Sequence, residues 1–514
     1  MSVRRVLVVG GGSAGWITAA YLNSVLNRDS QRVVEVALVE SPAVPRVGVG
    51  EATVPTIRHV LQTIGIDESR FMTAADATFK QAIKFVNWLR DDGHAYYHPF
   101  DRRTAGPVDY SAHSWLASDR SIPFAQTVSV QPQLCEWGLG PRMPDSRDYS
   151  SPMPYAYHMD AEKFADCLCE HATRRGVVHI REDVADVVQD DTGFIEAVVT
   201  ASDRRLEADL FIDCTGFRGL LIEGALGVPL RDFSPWLLCD RAIAMRVPYE
   251  TWYPGHIRPY TTATALSAGW AWDIGLVNRR GTGYVYCSRF LDDDAAEAEL
   301  RAHEGAHAES LPARRIPFRV GCRETFWERN CVAIGLSGGF IEPLESTGLY
   351  LIEFAAVTLA EHFPFGPSVQ PLADRFNRIL RNRYEEVLDF VNMHYCLSRR
   401  TDTEFWREVQ KPEHITERLR EKFEFWRIKP PSASDFDDQF RLFSHQSYEY
   451  ILYGMDFMQG AYTERFGGRV QPAVVPPHIA RVVEAARTRL PRHEAWLARE
   501  HGRHSLAASS TGPI

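Results

Sequence analysis

A glycine-rich turn near the N-terminus constrains what this chain can fold into more than any other feature. The segment GGGSAG at residues 10–15 places glycines at the first, third and sixth positions of a G-x-G-x-x-G pattern. Residues 6–9 before it are apolar, residues 16–26 after it carry apolar side chains at helical spacing, and residues 33–39 are again apolar and β-branched. A strand, a glycine turn, a helix and a second strand within roughly 35 residues form a βαβ unit, which predicts an α/β fold.

This turn also predicts a dinucleotide site. Gly10 lets the strand turn tightly, Gly12 lets the backbone approach a pyrophosphate, and Gly15 packs the helix against the strand. The helix N-terminus then faces the negative charge of the ligand. Glu40 closes the second strand, where a carboxylate can accept hydrogen bonds from ribose hydroxyls. The strand and helix around the turn disfavour a glycine loop without a ligand. The sequence therefore assigns cofactor contacts to Gly10, Gly12, Ser13, Ala14, Gly15 and Glu40.

Two further segments favour FAD over a nicotinamide. A second glycine cluster, GLSGG at residues 335–339, follows an apolar strand and precedes a helix, and it adds Leu336 to the cofactor contacts. Thr215 and Gly216 follow another apolar strand at residues 210–214. Several distant segments that converge on one nucleotide suit a long, retained cofactor. No second G-x-G-x-x-G for NAD(P)H follows, which indicates reduction by a separate protein.

Composition excludes several classes of protein. The chain has 514 residues, 24% of them charged, and a net charge of −10, with no basic run interleaved with aromatic residues. A nucleic-acid groove is therefore not expected. Nine cysteines without a C-x-x-C pair argue against a disulfide framework or a structural metal. No stretch of about 20 apolar residues suits a membrane helix, so we expect a cytoplasmic protein.

The chain divides into two expected modules. Residues 1–365 are predicted to form a Rossmann-like FAD-binding α/β module of the GR2 or hydroxylase-like type, with substrate-contacting segments inserted at about residues 80–150. Residues 366–514 carry apolar residues at helical spacing and are predicted to form a mostly helical substrate module. Its last residues, 504–514, are small and polar and are expected to be a disordered tail.

Four more segments resemble the FAD-dependent tryptophan halogenases, the two-component flavin-dependent halogenases. GVGEATVP at residues 48–55 is similar to the strap between the family's flavin and substrate sites, which adds Val49 and Ala52 to the cofactor contacts. ATFKQAIKFVNW at residues 77–88 resembles the segment of the catalytic lysine and places it at Lys80. GWAWDI at residues 269–274 resembles the W-x-W-x-I-P signature, with Gly275 in place of the proline. EPLESTG at residues 342–348 resembles the segment that holds a glutamate and the halide, and it adds Gly348 to the cofactor contacts.

The resemblance implies a reaction. Reduced FAD, supplied by a separate NAD(P)H-dependent flavin reductase, reacts with O2 to form a C4a-hydroperoxide. Chloride or bromide, held at Thr347 and Gly348, attacks it, and the resulting hypohalous acid reaches Lys80. An electron-rich indole-type ring, such as tryptophan or indole, is then halogenated. Glu345 orients the acid or accepts the ring proton. A simple helix cap by Ser346 or Thr347 would give the same sequence pattern.

The resemblance, and not the local pattern, selects Lys80. We expect this segment to be helical, with Lys84 one turn later on the same face, so that Lys84 serves as the natural control. Trp270 and Trp272 alternate along a predicted strand and face one side of it. In the family such residues keep the flavin intermediate from oxygenating the substrate, whereas plain core packing is the simpler alternative.

The substrate contacts follow from the same resemblance. His98 and Phe100 correspond by position to the family's stacking pair. Tyr448, Glu449 and Tyr450 loosely resemble the segment that grips the amino acid end of tryptophan, although aromatic residues at such spacing are common in cores. Free tryptophan, indole and a larger tryptophan-like scaffold therefore stay open, and so does homodimerisation.

Two other functions stay open. A single-component aromatic hydroxylase of the same flavin fold would share the glycine motifs but would need neither the lysine nor the halide segment. A flavin-binding protein without turnover would act as a sensor or an assembly partner.

Overall fold

The computed structural model describes residues 3–28, 33–44, 50–101, 103, 109–249, 257–366, 368–438, 441–457 and 471–502. The predicted contact Val49 and the predicted tail at residues 504–514 lie outside the described residues. The chain forms two compact units. Unit 1 comprises Met1–Ala77, Met159–Ser234 and Phe318–Glu385, and unit 2 comprises Thr78–His158, Pro235–Pro317 and Glu386–Ile514.

The strands of the described residues are β1 (Arg5–Val9), β2 (Glu35–Glu40), β3 (Gly50–Ala52), β4 (Thr78–Lys80), β5 (Ala82–Val86), β6 (Ala95–Pro99), β7 (Ala156–Asp160), β8 (Val178–Arg181), β9 (Val184–Gln189), β10 (Ile195–Thr200), β11 (Arg205–Glu207), β12 (Leu210–Asp213), β13 (Leu230–Asp232), β14 (Arg241–Pro248), β15 (Thr261–Leu266), β16 (Gly269–Gly275), β17 (Arg279–Tyr286), β18 (Ala313–Pro317), β19 (Gly321–Arg323), β20 (Trp327–Glu328), β21 (Cys331–Ala333) and β22 (Gly339–Phe340).

The α-helices of the described residues are α1 (Ser13–Leu26), α2 (Ile57–Ile64), α3 (Glu68–Ala74), α4 (Ser111–Leu116), α5 (Phe124–Val128), α6 (Gln131–Glu136), α7 (Ala161–Arg174), α8 (Asp293–Glu304), α9 (Thr347–Glu361), α10 (Gln370–Cys396), α11 (Glu404–Glu408), α12 (Glu417–Trp426), α13 (His445–Gly454), α14 (Pro477–Arg489) and α15 (His493–Glu500). Short 3₁₀ turns at Gly335–Ser337 and Leu344–Ser346 lead into functional segments discussed below.

Unit 1 is built on a six-stranded sheet in the order β20-β21-β12-β1-β2-β8. All neighbours in it are parallel except β20, which runs antiparallel to β21. The strands are almost continuously apolar because both faces of a parallel sheet are covered, and β1 buries four of its five residues. Helix α1 follows β1 directly and packs against α7 and α9. The predicted α/β class with a Rossmann-like βαβ unit is confirmed.

Unit 2 contains a seven-stranded sheet in the order β18-β14-β17-β16-β15-β5-β6. Only β15 and β5 pair in parallel, and the other five neighbouring pairs of this sheet are antiparallel. Among the described residues after residue 366, every named element is helical. The inserted segment predicted at residues 80–150 falls within the part of unit 2 between Thr78 and His158. The module boundary predicted at residues 365 and 366 stays a prediction.

The helix expected around Lys80 is wrong. The residues form two strands, β4 and β5, separated by Gln81, whose backbone N–H donates to the carbonyl of Pro259 at 2.8 Å. Aromatic and β-branched residues in this segment favour extended backbone, and pairing with β7 and β15 satisfies it. Lys84 is therefore not one helical turn from Lys80; it lies on β5 and its Nζ donates to Glu136 at 2.6 Å.

Candidate active site

In the glycine turn of unit 1, backbone atoms crowd Gly10 and Gly15, whereas the space beside Gly12 is open. Gly10 has φ +115°, and a Cβ there would lie 2.2 Å from the carbonyl oxygen of Cys214. A Cβ on Gly15 would lie 1.9 Å from the Gly10 oxygen, so both positions require glycine. A Cβ on Gly12 would meet no described atom within 4 Å. Helix α1 begins at Ser13 without a side-chain cap among the described residues, so its first N–H groups suit an anion.

Glu40 lies directly beside this turn. A Cβ on Gly11 would come within 1.7 Å of Glu40 Oε2, which shows how closely the carboxylate crosses the turn. The other oxygen, Oε1, accepts a hydrogen bond from Nε2 of His179 at 2.7 Å. Nδ1 of His179 is 3.8 Å from Sγ of Cys169. Sequence reasoning missed His179 because it reaches Glu40 through the pairing of β2 with β8, which no local pattern reveals.

The second glycine segment returns to the same turn. A Cβ on Gly335, which has φ +81°, would lie 2.7 Å from Cβ of Ala14. Ser337 donates through Oγ to the carbonyl of Asp213 at 2.5 Å, which ties this segment to the end of β12. Leu336 lies between these two anchored residues. The structure thus brings the three distant segments together around the start of α1.

These residues fit FAD. The open space at Gly12 gives room for a pyrophosphate, and the uncapped start of α1 supplies N–H donors. Glu40 lies where the end of β2 meets the glycine turn, as a ribose partner must. Ala52 is the buried last residue of β3, and Val49 lies outside the described residues.

A strained turn precedes helix α9. Glu345 has φ 67° and ψ 6°, and Ser346 has φ 60° and ψ 38°, so two consecutive non-glycine residues adopt the left-handed conformation. Each such residue costs on the order of 1–3 kcal/mol and is retained where the surrounding structure enforces it. Ser346 N–H donates to the carbonyl of Pro343 at 2.9 Å, and both strained residues are buried. Such strain is typical of functional turns.

Helix α9 begins with a buried hydroxyl group. Thr347 is fully buried, and its Oγ1 has no hydrogen-bond partner among the described residues. A Cβ on Gly348 would meet no described atom within 4 Å. No side-chain cap bond from Ser346 is found, so the simple cap that the sequence left open is not what the described residues form. A hydroxyl donor, a helix N-terminus and free space together suit a small anion.

In unit 2, Lys80 is completely removed from solvent. It ends β4, its relative exposure is 0%, and its Nζ lies 5.2 Å from the ring centroid of Phe100. His158 of β7 is buried nearby and lies opposite Thr78 of β4 in the sheet. Its Nε2 and Oγ1 of Thr261 share a hydrogen bond of 2.8 Å. Burial, together with the charge of Lys80, holds the pKa of His158 well below its usual value. The neighbouring imidazole is therefore neutral.

An aromatic cluster surrounds His98. Its ring centroid lies 5.6 Å from Phe390, 5.9 Å from Tyr450 and 6.2 Å from Phe443. The Tyr450 hydroxyl is buried without a hydrogen-bond partner among the described residues. Tyr448 packs edge-on against Phe390 at 4.9 Å and is itself buried. The structure thus brings His98 and Tyr450 together, and it adds Phe390 and Phe443, which sequence reasoning missed.

The carboxylate of Glu449 forms an ion pair with the guanidinium group of Arg103. The carboxylate accepts a hydrogen bond from Nη2 of Arg103, and Arg103 Nε donates to Oδ2 of Asp109 at 2.9 Å. The backbone N–H of Arg103 also donates to Gln446 at 3.0 Å. Burial raises the pKa of Glu449 to about 7, against the opposing charge of Arg103. Sequence reasoning missed Arg103, because 346 residues separate it from Glu449.

The two tryptophans of β16 lie in a packed region. Trp270 and Trp272 are both buried, and their ring centroids are 6.3 Å apart. Trp270 contacts Trp88 at 6.4 Å, and a Cβ on Gly283 of β17 would lie 2.2 Å from the ring of Trp272. The predicted strand is confirmed. The contacts are those of core packing, and a flavin-shielding role stays a prediction.

Two other sequence expectations bear on the class of protein. All nine cysteines are free of disulfides. No helix in the described ranges is long and apolar enough to cross a membrane.

Comparison with known proteins places these features in one family. The sequence model of the family described as tryptophan halogenase matches residues 5–469. The tryptophan 6-halogenase SttH of Streptomyces toxytricini is 37% identical over 471 residues, which cover 88% of this chain and 89% of SttH. The tryptophan 7-halogenase RebH of Lentzea aerocolonigenes is 35% identical, over 98% of this chain and 99% of RebH.

Solved structures agree. The crystal structure of a tryptophan halogenase from Shewanella frigidimarina has a TM-score of 0.89 to this chain at 34% identity, and the match covers 98% of each chain. The family match includes the glycine turn, the strand of Lys80 and the strained turn at Glu345. This chain therefore belongs to the tryptophan halogenase family of flavin-dependent halogenases.

Proposed function

We propose that this chain catalyses FAD- and O2-dependent halogenation of an electron-rich, indole-type aromatic ring, with chloride or bromide as the halogen source. The observation that carries the proposal is the fully buried amine of Lys80 beside the Phe100 ring. Lysine is among the residues that are rarely buried completely, so the full burial of this amine is an unusual feature of the position. In a chain of this family, delivery of an electrophilic halogen is the use that the position favours.

The glycine turn would hold the cofactor. Gly12 and the first N–H groups of α1 would contact the pyrophosphate, and Glu40 would contact the ribose. When bound in reduced form, FAD with O2 supplies the oxidation of halide to hypohalous acid. A separate NAD(P)H-dependent flavin reductase would provide the reduced cofactor.

The start of α9 would hold the halide. The Thr347 hydroxyl can donate to the anion, and Gly348 leaves the space that the ion needs. Glu345, two residues before Thr347, would orient the hypohalous acid or accept the ring proton. Lys80 would pass the halogen to the ring: a carbon–halogen bond forms, the halogen–oxygen bond breaks, and the ring proton leaves with water as the second product.

The ion pair at Glu449 narrows the substrate class. SttH and RebH are named for tryptophan, whose ammonium group needs an anionic partner. Here the candidate carboxylate already binds Arg103. We therefore favour an indole without a free amino acid group over free tryptophan. The two relatives are named for different ring positions, so neither name fixes the position for this chain.

Mass spectrometry of an aromatic panel tests the proposal. Purified protein would be incubated with indole, substituted indoles, phenols and tryptophan, together with FAD, a flavin reductase, NADH, O2 and chloride or bromide. We expect a halogen isotope doublet on an indole that disappears in Lys80→Ala. Lys84→Ala is the matched control, because Lys84 also lies over an aromatic ring, with its Nζ 5.3 Å from the Tyr97 centroid. Hydroxylated product instead, or full activity in Lys80→Ala, would contradict the proposal.

A further inference from the structure

The strand that carries Lys80 is held along its free edge by a histidine from the far end of the chain. On one edge, β4 pairs antiparallel with β7. On the other, the backbone N–H of Phe79 donates to Nε2 of His493 at 3.1 Å. His493 begins α15 and is 414 residues away in sequence. The residue immediately before Lys80 therefore depends on the C-terminal helix for its hydrogen-bond partner.

The imidazole of His493 is fixed in one tautomer. Its Nδ1 lies 2.9 Å from the carbonyl of Ile257, which can only accept, so Nδ1 carries the proton and Nε2 carries the lone pair. His493 is fully buried, and burial lowers its pKa to about 4. The ring is therefore neutral across the working pH range of most enzymes, and Nε2 stays an acceptor.

The surrounding contacts give this arrangement its rigidity. The backbone N–H of His493 donates to the carbonyl of Gly138 at 2.8 Å. Trp496, one turn later on α15, packs against the Phe79 ring with centroids 4.6 Å apart. Helix α15 thus contacts both the backbone N–H of Phe79, through His493, and the ring of Phe79, through Trp496. Because side chains alternate along a strand, Lys80 points to the opposite face from Phe79, so these contacts do not cover its amine.

We propose that His493 is a positioning residue for Lys80: its Nε2 fixes the edge of β4 and thereby the direction in which the Lys80 amine is presented. This inference rests on the proposed role of Lys80. Halogen delivery demands near-attack geometry, and a substitution far from the reacting atoms that misplaces them by about 1 Å can cost on the order of 10²-fold in rate. An edge strand with its N–H released would allow such a displacement.

Two substitutions separate the two hydrogen bonds of the ring. In His493→Gln the amide oxygen reaches the position of Nε2, so the bond from Phe79 is kept and the bond to Ile257 is lost. In His493→Asn the shorter side chain reaches only the position of Nδ1, so the reverse holds. Each variant loses one buried hydrogen bond, so the hydrogen-bonding contributions to their loss of stability are similar. Besides one methylene group, the two variants differ in which bond is lost.

The readout is the fate of the hypohalous acid. We expect His493→Asn to lower kcat for indole by about 10- to 100-fold with KM changed by less than about threefold, whereas His493→Gln stays within about threefold of wild type. In His493→Asn, acid that is not delivered should escape and be captured by a soluble diketone trap, so that trapped halogen per O2 rises as product falls. FAD affinity, which belongs to unit 1, should not change.

Amide hydrogen exchange of the peptide containing Phe79 supplies a second readout that needs no turnover. It should be faster in His493→Asn than in His493→Gln. Equal activity and equal exchange in the two variants would overturn the inference. A parallel loss of product and trapped halogen would also overturn it, since that is the pattern of a merely structural role. An inactive wild type would instead contradict the proposed function itself.

Discussion

Glu345 and Ser346 occupy left-handed backbone conformations at consecutive positions, with φ of 67° and 60°. Neither residue is glycine, so the turn carries strain that glycine would relieve. The strain places the candidate general base and the first turn of α9 in a fixed relation. Side chains held at such positions despite that cost are typical of a functional turn.

The strain predicts an order of stability among variants of Ser346. Ser346→Gly and Ser346→Ala both lose the hydroxyl, but only alanine keeps the Cβ that opposes positive φ. We expect the glycine variant to melt at the higher temperature, with a free energy of unfolding about 1 kcal/mol larger than that of the alanine variant. Thermal denaturation without cofactor measures this. Equal melting temperatures would show that the turn relaxes.

The Thr347 hydroxyl predicts a change in halide affinity. Thr347→Val keeps the shape of the side chain and removes a buried polar atom that has no partner among the described residues. Stability should therefore be unchanged or slightly higher. The KM for chloride or bromide should rise about tenfold, the loss expected for one hydrogen bond to an ion.

A matched hydroxyl keeps this test specific. Thr358→Val lies on the same helix and is also buried, yet it is far along α9 from the proposed halide position. It should leave the halide KM within about twofold of wild type. If Thr347→Val behaves in the same way, the hydroxyl does not bind the halide.

Alanine substitutions at two glycines of the first turn should have different effects, one on FAD binding and the other on stability. Gly12 has φ −77° and open space at its Cβ position, so Gly12→Ala should fold normally. It should nevertheless weaken FAD binding by about tenfold or more, because the methyl group occupies the approach of the pyrophosphate. Gly15→Ala forces a Cβ to within 1.9 Å of the Gly10 oxygen and should lower stability even without FAD.

Fluorescence titration with FAD and melting of the cofactor-free protein separate the two effects. A normal FAD affinity in Gly12→Ala would show that the ligand does not approach this turn. A melting temperature of Gly15→Ala equal to wild type would show that the helix can move away from the strand.

Glu353 predicts a pH dependence of stability. This carboxyl is buried on α9, its Oε2 accepts a hydrogen bond from Thr56 at 3.0 Å, and burial raises its pKa to about 8. A raised pKa means that the folded state holds a proton that the unfolded state releases from about pH 4.3 upward. Stability from this group is therefore complete at low pH and is lost as the pH rises to about 8.

Removing the titration should flatten that part of the curve. We expect Glu353→Gln to melt near the wild-type temperature at pH 5 and above it at pH 8, since the amide mimics the neutral acid. Glu361→Gln at the exposed end of the same helix is the control and should keep the wild-type slope. An unchanged slope in Glu353→Gln would mean that Glu353 ionises without cost.

Local strands and helices are predicted correctly from the sequence where the spacing of apolar residues fits only one type of element. The strand at residues 6–9 is observed as Arg5–Val9, and the helix at residues 16–26 as Ser13–Leu26. The helix predicted around Lys80 is wrong, because the apolar residues there fit a helical period as well as an extended one. Pairing with β7 and β15, far away in sequence, decided for strands.

The partners of site residues were beyond sequence reasoning for the same reason. His179 reaches Glu40 through a neighbouring strand, and His493 reaches Phe79 across 414 residues. Such contacts leave no trace in spacing or composition, since each belongs to the packing of elements that are remote in sequence. The family resemblance supplied Lys80 and Glu345 but not the residues that hold them.

The pair of Arg103 and Glu449 predicts a switch of substrate preference. Both side chains are buried, at 7% and 4% exposure, so the carboxylate has a permanent cation beside it. Wild type should therefore prefer indole to tryptamine. In Arg103→Gln the carboxylate loses that cation, and the ammonium group of tryptamine can replace it. The ratio of kcat/KM for tryptamine to that for indole should rise about tenfold, which corresponds to about 1.4 kcal/mol.

The change in substrate preference should depend on pH, because removing the positive charge of Arg103 changes the pKa of Glu449. The pKa of Glu449 is already raised to about 7 with Arg103 present, and loss of the cation raises it further. The carboxylate of the variant is therefore ionised only at higher pH, so the gain for tryptamine should grow between pH 7 and pH 9. Arg103→Lys keeps a cation and should stay near the wild-type ratio. A ratio in Arg103→Gln that equals wild type at pH 9 would show that Glu449 does not face the substrate.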